Sequence, residues 1–196
     1  MSPEKKDEDL QVIERVLAGD IRAFEKLVEK YQKKVYFLAL RMTKNHDVAD
    51  EIAQESFVKA YMSLSGFQKG KNFYTWLHRI TVNMVLNYLK HDSFTVSLDS
   101  PDGRTYLENI PSSPDQLKGL VNQEQMEVFH RALDELPAVQ KVVFILKTYE
   151  DLSYEKIAEV MDCSVGTVMS RLFRARKKLR KALKDYETKK NDKLQK

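Results

Sequence analysis

A chain of 196 residues with 42% hydrophobic residues is long enough for one domain of common size or two small ones. Its single cysteine excludes an intrachain disulfide and a cysteine-rich metal site, and no apolar run approaches the length of a membrane span. The hydrophilic N-terminus, MSPEKKDEDL, is unlike a signal peptide, so we expect an intracellular, cytoplasmic protein with no direct membrane insertion.

The net charge of +4 hides an uneven distribution of charge along the chain. Residues 123–163 carry four basic and nine acidic groups, whereas residues 164–196 carry twelve basic and three acidic groups. A strongly positive end beside an acidic segment predicts a single nucleic-acid-binding surface rather than non-specific binding over the whole protein.

The elements predicted near the N-terminus are helices, because the apolar residues recur every three or four positions. Gly19 and Asp20 are expected to end one helix and cap the next. The next helix has an apolar face made of Phe24, Leu27, Val28, Tyr31, Val35, Leu38 and Met42.

A third helix is predicted after Asn45, with acidic residues along one side. We call this side the acidic stripe; it contains Asp47, Asp50, Glu51, Gln54 and Glu55. The opposite side is apolar and packs inward, through Ala49, Ile52, Ala53, Ala60 and Leu64. Three interpretations remain open: a docking surface for a basic partner, a metal site with His46, Asp50 and Glu51 as ligands, or a solvated surface.

Residues 68–90 combine a basic loop, Lys69-Gly70-Lys71, with a helix that mixes aromatic, amide and cationic side chains on one side. This polar stripe contains Asn72, Trp76, Arg79, Asn83, Asn87 and Lys90, and the buried side contains Tyr74, Leu77, Thr81, Met84, Val85 and Tyr88. Such a stripe suits unpaired bases, because rings stack on them, amides read their edges and cations hold phosphates. The alternative is that Phe73, Tyr74 and Trp76 all belong to the core.

Residues 92–121 interrupt the helical pattern. They hold three of the five prolines, two glycines, five acidic residues and two basic ones, with no sustained period. A segment of this length is too long for a loop inside a compact domain, so we predict a flexible acidic linker. It separates two all-α domains, residues 1–91 and 122–187, and a basic tail covers residues 188–196.

The segment LSYEKIAEVMDCSVGTVMSRLFRARKKLRKALK predicts a helix, a tight turn and a second, basic helix. Ile157, Ala158 and Met161 form the apolar side of the first helix, and Ser164 is placed to cap the second. One buried side of the second helix contains Val168, Leu172, Ala175, Leu179 and Leu183.

The opposite side of the basic helix suits a double-stranded groove. It presents Gly166, Ser170, Phe173, Arg174 and Lys177, and between Val168 and Lys184 there are eight basic residues and no acidic one. The alternative is a helical hairpin with a solvated basic side, which leaves the small Gly166 and the exposed Phe173 unexplained.

Four blocks in this order resemble bacterial extracytoplasmic-function sigma factors of the sigma-70 family. They are GDIRAFEKLVEKYQKKVYFLALRM, DVADEIAQESFVKAYMSLSGF, FYTWLHRITVN and LSYEKIAEVMDCSVGTVMSRLFRARKKL. The block FYTWLHRITVN followed by NYL looks most like the sigma-E, envelope-stress type. The resemblance implies two helical domains, sigma2 and sigma4, the latter a helix-turn-helix, joined by the linker.

The resemblance also implies residue roles. Core polymerase binding falls to Asp47, Asp50, Glu51, Gln54, Glu55 and Phe57, against the coiled-coil of the polymerase clamp. Minus-10 recognition and melting fall to Lys69, Lys71, Asn72, Phe73, Tyr74, Trp76, Arg79, Asn83, Asn87 and Lys90. Minus-35 recognition falls to Ser164, Gly166, Thr167, Met169, Ser170, Arg171, Phe173, Arg174, Lys177 and Lys178. Met169 departs from the family, which usually has Arg or Lys at that position.

The function implied is that of a stress-response sigma factor, which directs promoter-specific transcription initiation and is not an enzyme. Its implied partners are core RNA polymerase (clamp coiled-coil and flap), promoter DNA and an anti-sigma factor, which in this family is often membrane-anchored. We expect no cofactor and no metal. The alternative function is a stand-alone, two-domain helix-turn-helix transcription regulator.

Overall fold

The computed structural model describes residues 3–95 and 123–194, with side chains described within 8–91 and 123–191. The regular structure of these residues is helical, with eight α-helices, two 3-10 helices and no strand. The chain divides into two compact units, one built mainly on residues 3–95 and the other mainly on residues 123–194. The predicted all-α fold with two small helical domains is confirmed. Apart from residues 92–95, the predicted linker lies outside the described residues.

The first unit contains four α-helices, α1 (Pro3–Leu17), α2 (Glu25–Thr43), α3 (His46–Met62) and α4 (Phe73–Thr95). Two 3-10 helices, Ile21–Phe24 and Leu64–Gly66, precede α2 and follow α3. The predicted apolar side of α2 is buried except for Val28, which is half-buried, and the predicted inner side of α3 is buried throughout. The helical periodicity of the sequence therefore locates the core of this unit correctly.

The turns of the first unit follow from three residues. Gly19 has a φ of +104°, a conformation that favours glycine, and it breaks the chain after α1 as predicted. Asp20, however, makes no side-chain cap, because its carboxylate accepts a hydrogen bond from Nε of Arg15 at 3.1 Å. The Asn45 side chain caps α3 by accepting from the backbone N–H of Asp47 at 2.9 Å and of Val48 at 3.1 Å.

The second unit also contains four α-helices, α5 (Gln123–Asp134), α6 (Ala138–Thr148), α7 (Tyr154–Met161) and α8 (Val165–Leu194). Pro137 stands directly before α6, where its fixed φ and missing N–H are tolerated. Apolar side chains from all four helices are buried together, among them Phe129, Val142, Ile145, Leu146, Ile157 and Leu172.

Two boundaries differ from the sequence prediction. The first domain was expected to end at residue 91, but α4 continues to Thr95. The residues expected to form a separate basic tail from residue 188 continue α8 as far as Leu194. The long helix has a physical support, because Lys190 on α8 pairs with Glu124 on α5 at 3.2 Å.

Candidate nucleic-acid interface

The turn between α7 and α8 has the local geometry that the sequence predicts. Ser153 caps α7 by accepting from the backbone N–H of Lys156 at 3.3 Å. Asp162 ends α7 in the left-handed conformation, with a φ of +50°. Ser164 then caps α8, because its hydroxyl oxygen accepts from the backbone N–H of Thr167 at 3.1 Å. The capping role predicted for Ser164 is confirmed.

Helix α8 separates its buried and exposed sides sharply. Val168, Leu172, Ala175 and Leu179 are buried as predicted, whereas Leu183 is only half-buried. The exposed side, which we call the reading face, contains Gly166, Ser170, Phe173, Arg174 and Lys177. Phe173 exposes 68% of its surface and lies among the small, polar and cationic residues of this face.

The remaining candidates on α8 lie at the borders of the reading face. Met169, 53% exposed, is one turn before Phe173, so the two form an apolar pair. Arg171 is half-buried and lies over the turn, where its Nη1 donates to Sγ of Cys163 at 3.8 Å. Thr167 is half-buried and Lys178 is exposed. Ser164 has its hydroxyl engaged in capping, so contact with DNA competes with that bond.

The aromatic residues at the start of α4 require a correction. Phe73 and Tyr74 are 2% and 6% exposed, so they do not present a surface on which a base could stack. Both rings pack against Tyr31 of α2, with centroids 5.8 Å and 5.4 Å away. The alternative interpretation, in which these two rings belong to the core, is the one the structure supports.

Trp76 and Asn72 also stabilise the start of α4. Trp76 is half-buried, and its ring lies 5.4 Å from Phe67 and 5.7 Å from Phe73, centroid to centroid. Asn72 caps α4, because its side-chain oxygen accepts from the backbone N–H of Thr75 at 3.0 Å. Both side chains are half-buried, so only part of each is exposed to a ligand.

The rest of the polar stripe lies at or near the surface. Asn83, Asn87 and Lys90 are exposed and Arg79 is half-buried. In the loop before α4, Lys69 pairs with Glu14 of α1 at 2.7 Å and Lys71 is exposed. Gly70 between them has a φ of +91°, which lets the loop turn tightly.

The five members of the acidic stripe are exposed along α3. Gln54 donates to the Asp50 carboxylate at 3.0 Å, and Glu55 lies 3.9 Å from Nζ of Lys59. Burial, together with the carboxylates of Asp50 and Asp47, raises the pKa of Tyr36 on α2. Beside the stripe, α3 and α4 enclose a groove of about 210 Å³, lined by Val48, Glu51, Ile52, Glu55, Lys59, Met84, Asn87 and Tyr88.

Phe57 was expected to belong to the surface that binds core polymerase. It is 7% exposed and packs inward from α3, so this assignment is wrong for a direct contact. Its position in the helix explains the error, because it follows Ala53 by four residues on the inner side.

The acidic stripe has an apolar continuation that was not predicted from the sequence. Val58 and Met62, 55% and 77% exposed, follow Gln54 at successive steps of four residues on α3, so they lie on the same side of the helix. The four-residue spacing of Gln54, Val58 and Met62 could have indicated this continuation from the sequence. It was overlooked because the residues along this side change from polar to apolar.

For the metal interpretation, the described part of the chain contains no group of three or more His, Cys, Asp or Glu side chains placed to hold an ion. His46, one of the proposed ligands, has its Nδ1 in a hydrogen bond with the Tyr36 hydroxyl. Among the same residues, no helix is long and apolar enough to cross a bilayer.

A helix-turn-helix with a cationic, exposed second helix defines a DNA-binding protein, and comparison with known proteins gives its family. Residues 27–95 match Sigma-70 region 2, and residues 126–179 match Sigma-70, region 4. The chain belongs to the sigma-70 family, among the extracytoplasmic-function (ECF) sigma factors, and directs RNA polymerase to promoters.

The relatives are similar over nearly their whole length. The chain is 40% identical over 185 residues to the RNA polymerase sigma-H factor of Pseudomonas aeruginosa, covering 90% of this chain and 94% of that protein. It is 39% identical over 176 residues to the ECF RNA polymerase sigma-E factor of Haemophilus influenzae, covering 86% and 91%. A solved sigma factor, RpoE of Bartonella quintana in complex with the anti-sigma factor NepR, is similar with a TM-score of 0.61 and 27% identity, covering 82% of this chain and 96% of that chain.

Proposed function

We propose that the three exposed surfaces described above divide the work of transcription initiation. The acidic stripe of α3 binds the basic clamp coiled-coil of core polymerase, while the second unit binds the flap. The observation that supports this division is the separation of charge, with carboxylates along α3 and only basic residues among the charged groups of α8 up to Lys184.

In this proposal, the polar stripe of α4 captures a minus-10 base that has left the duplex. Extruding a base costs a few kcal/mol in lost stacking and pairing, which the protein must return through contacts. Asn83 is the central candidate because an exposed amide donates and accepts at one base edge. Cationic and amide groups around it are supplied by Lys69, Lys71, Asn87 and Lys90. The buried rings of Phe73 and Tyr74 anchor the start of the helix in the core.

The reading face of α8 is assigned to the minus-35 element. Its N-terminal half offers Ser170, Arg174 and the apolar pair Met169 and Phe173 to base edges in a major groove. Lys177 and Lys178 lie farther along the helix and bind phosphates.

The sigma2 domain covers residues 1–91 with the rest of α4, and the sigma4 domain covers residues 122–187 with the rest of α8. The protein has no enzymatic activity of its own and acts in the cytoplasm, where core polymerase and promoter DNA are found. An anti-sigma factor masks it, by analogy with the Bartonella quintana complex.

The deciding experiment is reconstitution of the full chain with core polymerase, followed by run-off transcription on a library of promoter duplexes. We expect transcripts from a subset of sequences that share minus-10 and minus-35 elements, and none from core polymerase alone. A chain that binds duplex DNA tightly by itself and leaves core polymerase unchanged would be a stand-alone regulator instead.

A further inference from the structure

The far end of α8 extends well past the helix-turn-helix. The match to the region 4 family ends at residue 179, whereas α8 continues for fifteen residues to Leu194, about 22 Å at 1.5 Å per residue. Neither the reading face nor the family match accounts for this extension.

The extension is held against α5 rather than left projecting. The Tyr186 hydroxyl hydrogen-bonds the Glu124 carboxylate, and Nζ of Lys190 lies 3.2 Å from the same carboxylate and 3.3 Å from the Tyr186 hydroxyl. A hydrogen bond between Gln125 and Glu187 at 3.5 Å adds to this contact. The pairs with Glu124 and Gln125 join residues more than sixty positions apart, so they fix the direction of α8 beyond the DNA-reading turns.

A row of cations continues the reading face along this anchored helix. Arg174, Lys177, Lys181 and Lys184 follow one another at steps of three, four and three residues, so they lie on one side over about 15 Å. We call this row the cationic stripe. All four side chains are exposed, and within the described residues none of them has a hydrogen bond or an ion pair, although Asp185 lies at the border of the row.

Like charges at these spacings repel one another and weaken the helix slightly. A polyanion with regularly spaced charges relieves this repulsion, and the phosphates of a duplex already approached by Arg174 and Lys177 are the nearest such partner. Lysine suits a contact of this kind, because its ammonium is a compact charge on a flexible stem and lacks the rigid planar fork of arginine.

We propose that Lys181 and Lys184 form a second, sequence-independent DNA contact, which binds phosphates flanking the element read by Ser170 and Arg174. The inference rests on the proposed function, since it requires that the reading face meets duplex DNA. An acidic protein is the competing partner for the same stripe, and continuity with the reading face favours DNA.

The test compares holoenzyme made with the Lys181→Gln/Lys184→Gln variant, wild-type holoenzyme and a matched control. The control, Arg176→Gln/Lys189→Gln, removes the same charge from exposed positions of α8 that lie about a third of a turn away from the cationic stripe. Glutamine has nearly the helix propensity of lysine and arginine, so circular dichroism should be the same for all three proteins.

Affinity for a promoter duplex chosen in the library experiment is measured between 50 and 200 mM KCl. Each lost phosphate contact lowers the salt slope by about 0.9, so the variant slope should be shallower by about 1.8. Wild-type affinity should accordingly fall about twelvefold more than variant affinity over this range. The preference for the correct minus-35 sequence should be the same in all three proteins.

An unchanged slope in the variant would overturn the proposal, as would an equal change in the control. A loss confined to particular base sequences would also overturn it, and so would a defect that appears only when an acidic protein is added. If the proposed function itself fails, wild-type chain and core polymerase show no promoter binding, which differs from every one of these outcomes.

Discussion

The carboxylate of Asp9, on α1, accepts a hydrogen bond from the hydroxyl of Tyr31, on α2, at a site where Asp9 is only 3% exposed. Lys30 completes the site, with its Nζ 2.7 Å from the same carboxylate. Because the Tyr31 ring packs against Phe73 and Tyr74, α1 is connected through one side chain to the start of α4. The stability of the proposed minus-10 surface therefore depends on a residue of α1.

Tyr31→Phe should lower the free energy of unfolding of the first unit by about 1–3 kcal/mol, because it removes one partner of a buried carboxylate. Trp76 is the only tryptophan of the chain and lies in this unit, so its fluorescence in urea follows the transition. Tyr186→Phe is the control, since it removes an exposed hydroxyl from the other unit. Equal midpoints for Tyr31→Phe and wild type would show that the bond contributes nothing.

The same pair gives the unfolding a dependence on alkaline pH. Burial, and then the hydrogen bond to Asp9, raises the pKa of Tyr31 in the folded protein. The folded state therefore keeps a proton that the unfolded chain releases near pH 10, so this contribution is complete below pH 10 and is lost above it. Wild type should lose more stability than Tyr31→Phe between pH 9 and 11, by up to about 1.4 kcal/mol per pH unit above 10.

The acidic stripe is tested by reversing two charges. Asp50→Lys with Glu51→Lys should weaken binding to core polymerase by about 1–4 kcal/mol, since each position exchanges an attraction for a repulsion of similar size. Competition with labelled wild-type chain for core polymerase measures the loss. Glu25→Lys with Glu29→Lys changes the same charge on the exposed side of α2 and should leave binding intact. Undiminished binding by the Asp50/Glu51 variant would remove the docking assignment.

Arg174→Ala should reduce discrimination at one minus-35 position by about 1–3 kcal/mol, the usual contribution of a bidentate contact with guanine. Filter binding of holoenzyme to single-base variants of the element measures this change. Arg176→Ala on the neighbouring side of α8 should leave base preference as it is. If Arg174→Ala changed neither affinity nor preference, α8 would lie in the groove in another orientation.

The apolar pair Met169 and Phe173 should recognise thymine through its methyl group, the apolar feature of the major groove. Replacing one minus-35 thymine by deoxyuridine removes only that methyl, and burial of such a group is worth about 0.8 kcal/mol, or roughly fourfold in affinity. The effect should disappear in Phe173→Ala or in Met169→Lys. Thymines outside the element serve as controls, and equal binding with every substitution would contradict the assignment.

Asn83→Ala should leave binding to core polymerase and to closed duplex nearly intact, yet reduce promoter melting and change the preferred base at one minus-10 position. The reason is that the amide acts only once a base has been extruded. Permanganate footprinting reports melting through unpaired thymines, and Gln32→Ala removes an exposed amide from α2 as the control. Equal thymine reactivity in mutant and wild type would make Asn83 structural and leave base capture to the Lys69-Gly70-Lys71 loop.

The features that depend on near neighbours in the chain could be read from the sequence. The Ser164 cap involves Thr167, three residues away, and the buried side of α8 from Val168 to Leu179 repeats with the helical period. The exposed positions of the acidic stripe follow from the same period. Such features are decided within one or two helical turns, so residue spacing contains the information needed to predict them.

The tertiary structure alone decided that Phe73 lies in the core beside Tyr74 and how far α8 continues. The resemblance named Phe73 and Tyr74 among the minus-10 residues, but Tyr31, more than forty positions earlier in the chain, packs against both rings. The continuation of α8 past residue 187 is supported by Glu124 on another helix. Periodicity shows that one side of a helix is apolar or charged, but it does not show where the partner helix lies. Burying an apolar side chain stabilises the fold only where another element covers it, so the partner helix decides which side chains are buried.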